Sequence, residues 1–96
     1  MIRHVVMFRW KPETDEAVAE LARALGRLPS IIPEIRAYHF GADAGLNSGN
    51  YDFVVSADFD AADGYLAYRD HPEHRNVAES LIVPNMTDRA AVQFEF

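Results

Sequence analysis

Between Tyr51 and Phe59 the side chains alternate, with Tyr51, Phe53, Val55, Ala57 and Phe59 in one phase and Asp52, Val54, Ser56 and Asp58 in the other. A period of two is that of a β-strand with one buried face, and such a face needs neighbours to cover it. Residues 2–10 supply one, since the β-branched and aromatic run from Ile2 to Trp10 reads as a strand. Residues 34–41 read as a shorter strand, with Arg36, Tyr38 and Phe40 in one phase and Ile35, Ala37 and His39 in the other. Residues 89–96 end the chain as a fourth, with Val92, Phe94 and Phe96 in one phase. Between strands the period changes. Residues 13–28 place Val18, Leu21, Leu25 and Leu28 on one helical stripe with Ala22 beside it, started by Lys11-Pro12 and Thr14 and stopped by Gly26 and Pro29. Asp60 is placed to cap a short helix through Tyr65, Leu66 and Tyr68. Pro72 is placed to open a further helix, capped by Asp70 or His71, that carries Val77, Ala78, Leu81 and Ile82 and stops before Pro84.

The order β-α-β-β-α-β predicts an α+β, ferredoxin-like fold: a four-stranded antiparallel sheet with its helices on one face. At 96 residues the chain is expected to be a single domain, 1–96. The first strand complicates this simple picture. Its phase Ile2, His4, Val6, Phe8, Trp10 is apolar apart from His4, yet Val5 and Met7 sit at the centre of the other phase. With Val54, Val92 and Phe94 they form an apolar patch on the helix-free face, larger than a monomer leaves in water. Packing two such sheets face to face buries it, so a symmetric homodimer is expected. His39 lies in the phase that faces this interface.

Composition excludes several classes. A net charge of −6 is the wrong sign for a nucleic-acid surface, which needs cations to displace counterions. No apolar run reaches the length of a membrane span, and the N-terminus enters a strand without a signal-peptide pattern. The chain has no cysteine, which removes disulfides and thiolate metal sites and fits a cytoplasmic protein. The Gly41–Asn50 loop lacks the spacing and following helix of a phosphate loop.

What remains is Tyr68-Arg69-Asp70-His71-Pro72-Glu73-His74, which carries two of the four histidines. Histidine exchanges protons near neutral pH, and a tyrosine hydroxyl can hold a developing oxyanion. Pro72 breaks the helix, which allows Tyr68 and His74 to meet at one cavity, and strand phase points His4 at the same space. The expected lining is Val6, Phe8, Tyr38, Phe53 and Val55, apolar as small-molecule pockets are. The plainer reading makes His71 a helix-start residue bonded to backbone, Tyr68 a core aromatic tied to a carbonyl, and His74 and His4 satisfied core histidines. No metal site is expected, because His71 and His74 lack a third protein ligand.

The opening Ile2-Arg3-His4-Val5-Val6-Met7-Phe8, the strand end Asp58-Phe59-Asp60 and above all Tyr68-x-x-His71-Pro72-x-His74 resemble the stress-responsive A/B barrel (Dabb) domain family, over essentially the whole chain. The resemblance implies a ferredoxin-like chain that pairs into a dimeric α+β barrel. Relatives include polyketide cyclases of the olivetolic acid type, and this implies an aldol-type reaction without a cofactor. Their base, assisting tyrosine and pocket histidine match His74, Tyr68 and His4. Two positions depart from the cyclase pattern: Phe53 stands where those enzymes carry a pocket histidine, and Thr87-Asp88 has no matching aromatic. Two functions follow as expectations: a cofactor-free cyclase or lyase acting on a small hydrophobic or aromatic carbonyl compound, or a non-catalytic stress-response or binding module. No residue pattern favours a monooxygenase.

Overall fold

In the computed structural model, which describes residues 1–96, β1 (Ile2–Trp10) is the centre of the sheet. It pairs antiparallel with β3 (Phe53–Phe59) on one side and with β4 (Met86–Glu95) on the other. The strand β2 (Ala37–Ala42) completes the order β2-β3-β1-β4. The register sets Val6 against Val55 and Phe8 against Phe53, so that one apolar phase of each strand meets the other on the helix-bearing face. That face carries α1 (Asp15–Ile31), α2 (Ala62–Asp70) and α3 (Pro72–Val77). The fold is ferredoxin-like, as the order of periods predicts. No helix is long and apolar enough to cross a membrane.

The core forms where the α1 stripe meets the sheet. Leu21, Leu25, Leu28 and Ile32 are at most 1% exposed, and Phe59, Val55 and Ala57 lie beneath them at 2% or less. Burying each large aliphatic side chain contributes about 1.5–3 kcal/mol. This burial explains why α1 passes the expected stop at Pro29. Pro29 removes only the bond to the Leu25 carbonyl, and Leu28 and Ile32 continue the buried stripe across it, with the Ile32 N–H donating to the Leu28 carbonyl at 2.9 Å.

Other boundaries move for local reasons. The expected cap Asp60 is held by Arg36 at 2.9–3.1 Å, and Ala61 takes the cap position of α2, which starts at Ala62 without a side-chain cap. The expected single helix from Pro72 to Ile82 divides into α3 and a wider π turn over Ala78–Ile82, closed by the Val83 N–H on the Ala78 carbonyl. A short 3-10 turn (Val83–Asn85) follows, in which Pro84 has no N–H to extend the ladder and the Asn85 side chain donates to the Leu81 carbonyl at 2.9 Å. The last strand begins at Met86, earlier than its apolar residues indicate, because a bulge between Arg9 and Trp10 carries the pairing into a polar stretch.

On the opposite face Val54, Val92, Phe94 and Phe96 are 37–56% exposed in the single chain. Arg3 bridges the patch, paired with Asp58 at 2.7 and 3.0 Å and stacked over the Phe96 ring at 4.4 Å. His39, opposite Ser56 on β2, is exposed on the same face.

Candidate functional site

The turn between α2 and α3 builds the site. A residue before proline is driven out of the helical region, and His71 sits at φ −63°, ψ 133°. Pro72 then opens α3, and the His71 ring nitrogen Nδ1 accepts the Glu73 N–H at 3.1 Å. His71 is thus a cap. The turn folds α3 back on α2, which brings the His74 ring over the Tyr68 ring with centroids 4.2 Å apart and 40° between planes.

Each histidine there is fixed in one tautomer by its partner. The His74 Nδ1 lies 3.1 Å from the Arg69 carbonyl, which can only accept, so Nδ1 carries the proton and Nε2 is left as a bare lone pair. On His4 the assignment is reversed. The Gln93 amide Nε2 donates to His4 Nδ1 at 2.8 Å, which places the His4 proton on its Nε2. One ring offers a base and the other a donor.

The electrostatics keep both neutral. Burial, then the charges of Arg89 and His74, hold His4 down at about 4. Burial also lowers His74, against the raising effect of the Arg69 carbonyl; His71 lowers it further and Asp70 raises it. Tyr68, 2% exposed, shares a 2.8 Å hydroxyl–hydroxyl bond with Tyr38. Burial pushes Tyr38 up to about 12 against that bond, and burial with the neighbouring Tyr38 pushes Tyr68 higher still. Neither phenol is a base at neutral pH. In such a pair one hydroxyl donates and the other keeps a proton for a further acceptor.

These groups surround a cavity of about 180 Å³ between the sheet and the α2–α3 turn. His4, Tyr68 and His74 all line it, together with Val6, Phe8 and Val55. Two expected lining residues do not. Tyr38 stands behind Tyr68 and reaches the site only through the shared hydroxyl bond. Phe53 lies at the far end of the sheet, beside Trp10, Val18 and Phe40, because α1 fills the space between it and the cavity. Four further lining residues are not given by strand phase alone or by the Tyr68–His74 turn. Tyr65, whose ring is 4.9 Å from His4, is three residues before Tyr68 and shares its helix face. Ala78 and Ile82 enter through the π turn, a distortion often found at functional sites. Arg89 pairs with Phe8 across the ladder and so faces inward; its signal was the phase it shares with Ala91 and Gln93, opposite to Val92 and Phe94.

Fold and cavity together define a ferredoxin-like α+β chain with a small apolar site between sheet and helices, carrying two histidines and a buried tyrosine. The chain belongs to the stress responsive A/B barrel domain (Dabb) family, whose model matches residues 2–96. Among solved structures it is similar to a dimeric ferredoxin-like protein of unknown function from Thermobifida fusca, at 50% identity over 99% of this chain and 90% of that one, with a TM-score of 0.91. A dimeric protein of the same fold and unknown function from Bacteroides fragilis is 26% identical over 99% of this chain and 95% of its own, with a TM-score of 0.83. A hydroxynitrile lyase from Passiflora edulis, 18% identical over 97% of this chain and 90% of its own, shares the fold at a TM-score of 0.83. Comparison with curated proteins gives no significant match.

Proposed function

We propose that this chain is a proton-transfer catalyst of the aldol cyclase or lyase kind, acting on a small carbonyl compound and working as a homodimer without a cofactor. The observation that carries the reading is the His74 ring, pinned through Nδ1–H to the Arg69 carbonyl with its Nε2 bare at an apolar cavity. A base needs a lone pair, a fixed tautomer and a pKa near the working pH, and this arrangement offers the first two. His74 Nε2 takes a proton from the carbon beside the substrate carbonyl, and the electron pair moves onto the carbonyl oxygen. The neutral donors His4 Nε2–H and the Tyr68 hydroxyl hold that enolate. The enolate carbon then attacks a second carbonyl, and the resulting alkoxide recovers the proton from His74. For a lyase the same steps run in reverse.

The homodimer rests on the exposed apolar sheet face and on the dimeric assembly of the 50%-identical protein from Thermobifida fusca. One observation favours a second reading, a binding module without catalysis. Tyr68 already has a partner in Tyr38, so its hydroxyl is satisfied without a substrate. Deuterium exchange into the α-carbon of phenylacetone and related aryl ketones, followed by proton NMR, separates the two. Exchange above the buffer rate that falls by about 10²–10⁴-fold in His74→Gln is expected. No exchange across the series refutes catalysis and leaves the binding module.

A further inference from the structure

The mouth of the cavity carries a charge that the apolar lining does not explain. Its exposed lining residues are Arg69, Val83 and Arg89. Arg69 is held by Asp70 through two bonds of 2.9 and 3.1 Å, so its charge is matched. Arg3 and Arg9 on the sheet, and Arg36 just before β2, likewise each reach an aspartate. The Arg89 guanidinium makes no ion pair and no hydrogen bond. Its sequence neighbour Asp88 turns to the other face of β4 and pairs with Arg9. Buried His4, neutral at neutral pH, adds no second charge. The site therefore presents one unmatched cation, on a chain whose net charge of −6 repels anions elsewhere.

We propose that Arg89 is the carboxylate-binding residue of this site, and that its ligand is a small monoanion: a single aromatic ring or a chain of similar bulk, carrying one carboxylate. This deepens the proposed function and rests on the cavity being the substrate site. The size argument comes from the cavity of about 180 Å³, since an apolar cavity of about 150 Å³ takes up benzene. A long linear chain does not fit within that volume. Polarity orders the ligand. The acid stays at the mouth, where the guanidinium fork can bind both carboxylate oxygens. The ring lies inward against Val6, Phe8 and Val55, and a carbonyl on it comes under His74 and Tyr68.

The test uses benzoate and its neutral analogue benzamide, titrated into the full chain at low ionic strength and followed by NMR of the histidine and tyrosine rings. Benzoate is expected to shift the His74 and Tyr68 signals and to bind about tenfold or more tighter than benzamide. Arg89→Gln is expected to weaken benzoate by about 10–100-fold, the size of a charge-assisted hydrogen bond, and to leave benzamide within about twofold. Arg89→Lys is expected to recover part of the loss. Equal affinity for the two compounds, no binding of either, or unchanged benzoate affinity in Arg89→Gln overturns the assignment. The ketone exchange assay reads His74 with a neutral substrate, so either idea can fail while the other stands.

Discussion

The buried His4 makes stability depend on pH in a defined window. In the folded chain its pKa is about 4, against 6.5 as the ordinary value. Between these two pH values the unfolded chain binds a proton that the folded chain refuses. The unfolded state then holds more protons, so stability rises with pH across the window. The contribution is intact above pH 6.5, drains away as pH falls, and is fully lost below about 4. Linkage puts the loss from His4 at about 2 kcal/mol between pH 7 and pH 5, with a limit of about 3 kcal/mol at lower pH. Burial sets its sign, and the groups facing His4 act in the same direction: Arg89 and His74 both oppose a second charge, and Gln93 donates to the lone pair on Nδ1. Asp58, Asp60 and Asp70, each lowered by its arginine partner, keep their contribution above 3.8 and lose it only below that, as pH falls through their lowered folded values. His74, lowered in the same direction, adds to the slope. The measurement is urea unfolding from pH 7 to pH 5 at one protomer concentration, since an associating chain shifts its midpoint with concentration. It compares the natural chain with His4→Asn, whose side-chain oxygen can take the Gln93 bond without titrating. The variant should show a pH dependence shallower by about 2 kcal/mol over that range. Parallel slopes in the two proteins refute the account of His4 as a neutral core histidine.

Two further outcomes follow from the same structure. Tyr38→Phe leaves the Tyr68 hydroxyl buried without its partner and should cost about 1–3 kcal/mol in urea unfolding; Tyr68→Phe should cost less, because Tyr38 is less completely buried than Tyr68. The double variant should cost less than the sum, and strict additivity would disprove the coupling assigned to the 2.8 Å bond. On the other face, Val92→Asp puts a charge at a side chain 56% exposed in the single chain. Light scattering should then read a monomer mass where the natural chain reads a dimer, with the far-UV spectrum unchanged; a dimer mass in the variant removes the sheet face as the interface.

The α2–α3 turn links the local sequence to the site. His71 and Pro72 act on backbone: one caps α3 and the other fixes its first residue. Their effect on chemistry is indirect, through the direction they give to His74. The same turn brings the Arg69 carbonyl, at the end of α2, within reach of the His74 ring. The carbonyl end of a helix favours a proton on that nitrogen, which leaves the opposite nitrogen bare toward the cavity. In this way the Tyr-x-x-His-Pro-x-His spacing defines a base and its orientation together.

Strand and helix periods, read along the chain, determined the order of elements, the two apolar faces of the sheet and the side of β1 on which His4 lies. These are local properties: a period of two or of 3.6 assigns side chains to faces without knowledge of partners. The meeting of Tyr68 and His74 was also legible, because proline is a local breaker. Boundaries were less so. Burial of Leu28 and Ile32 carried α1 through Pro29, and the pairing with Arg36 took Asp60 from its place as a cap. Only the tertiary structure decided which helix-facing residues share a cavity. Phe53 and Val55 stand two apart in one phase, yet α1 covers the first while the α2–α3 turn leaves open space over the second. It also decided the tautomers of His4 and His74, set by Gln93 and by the Arg69 carbonyl. The unmatched charge of Arg89 belongs to the same class: a residue can be known as unpaired only when every neighbour it meets in space is known.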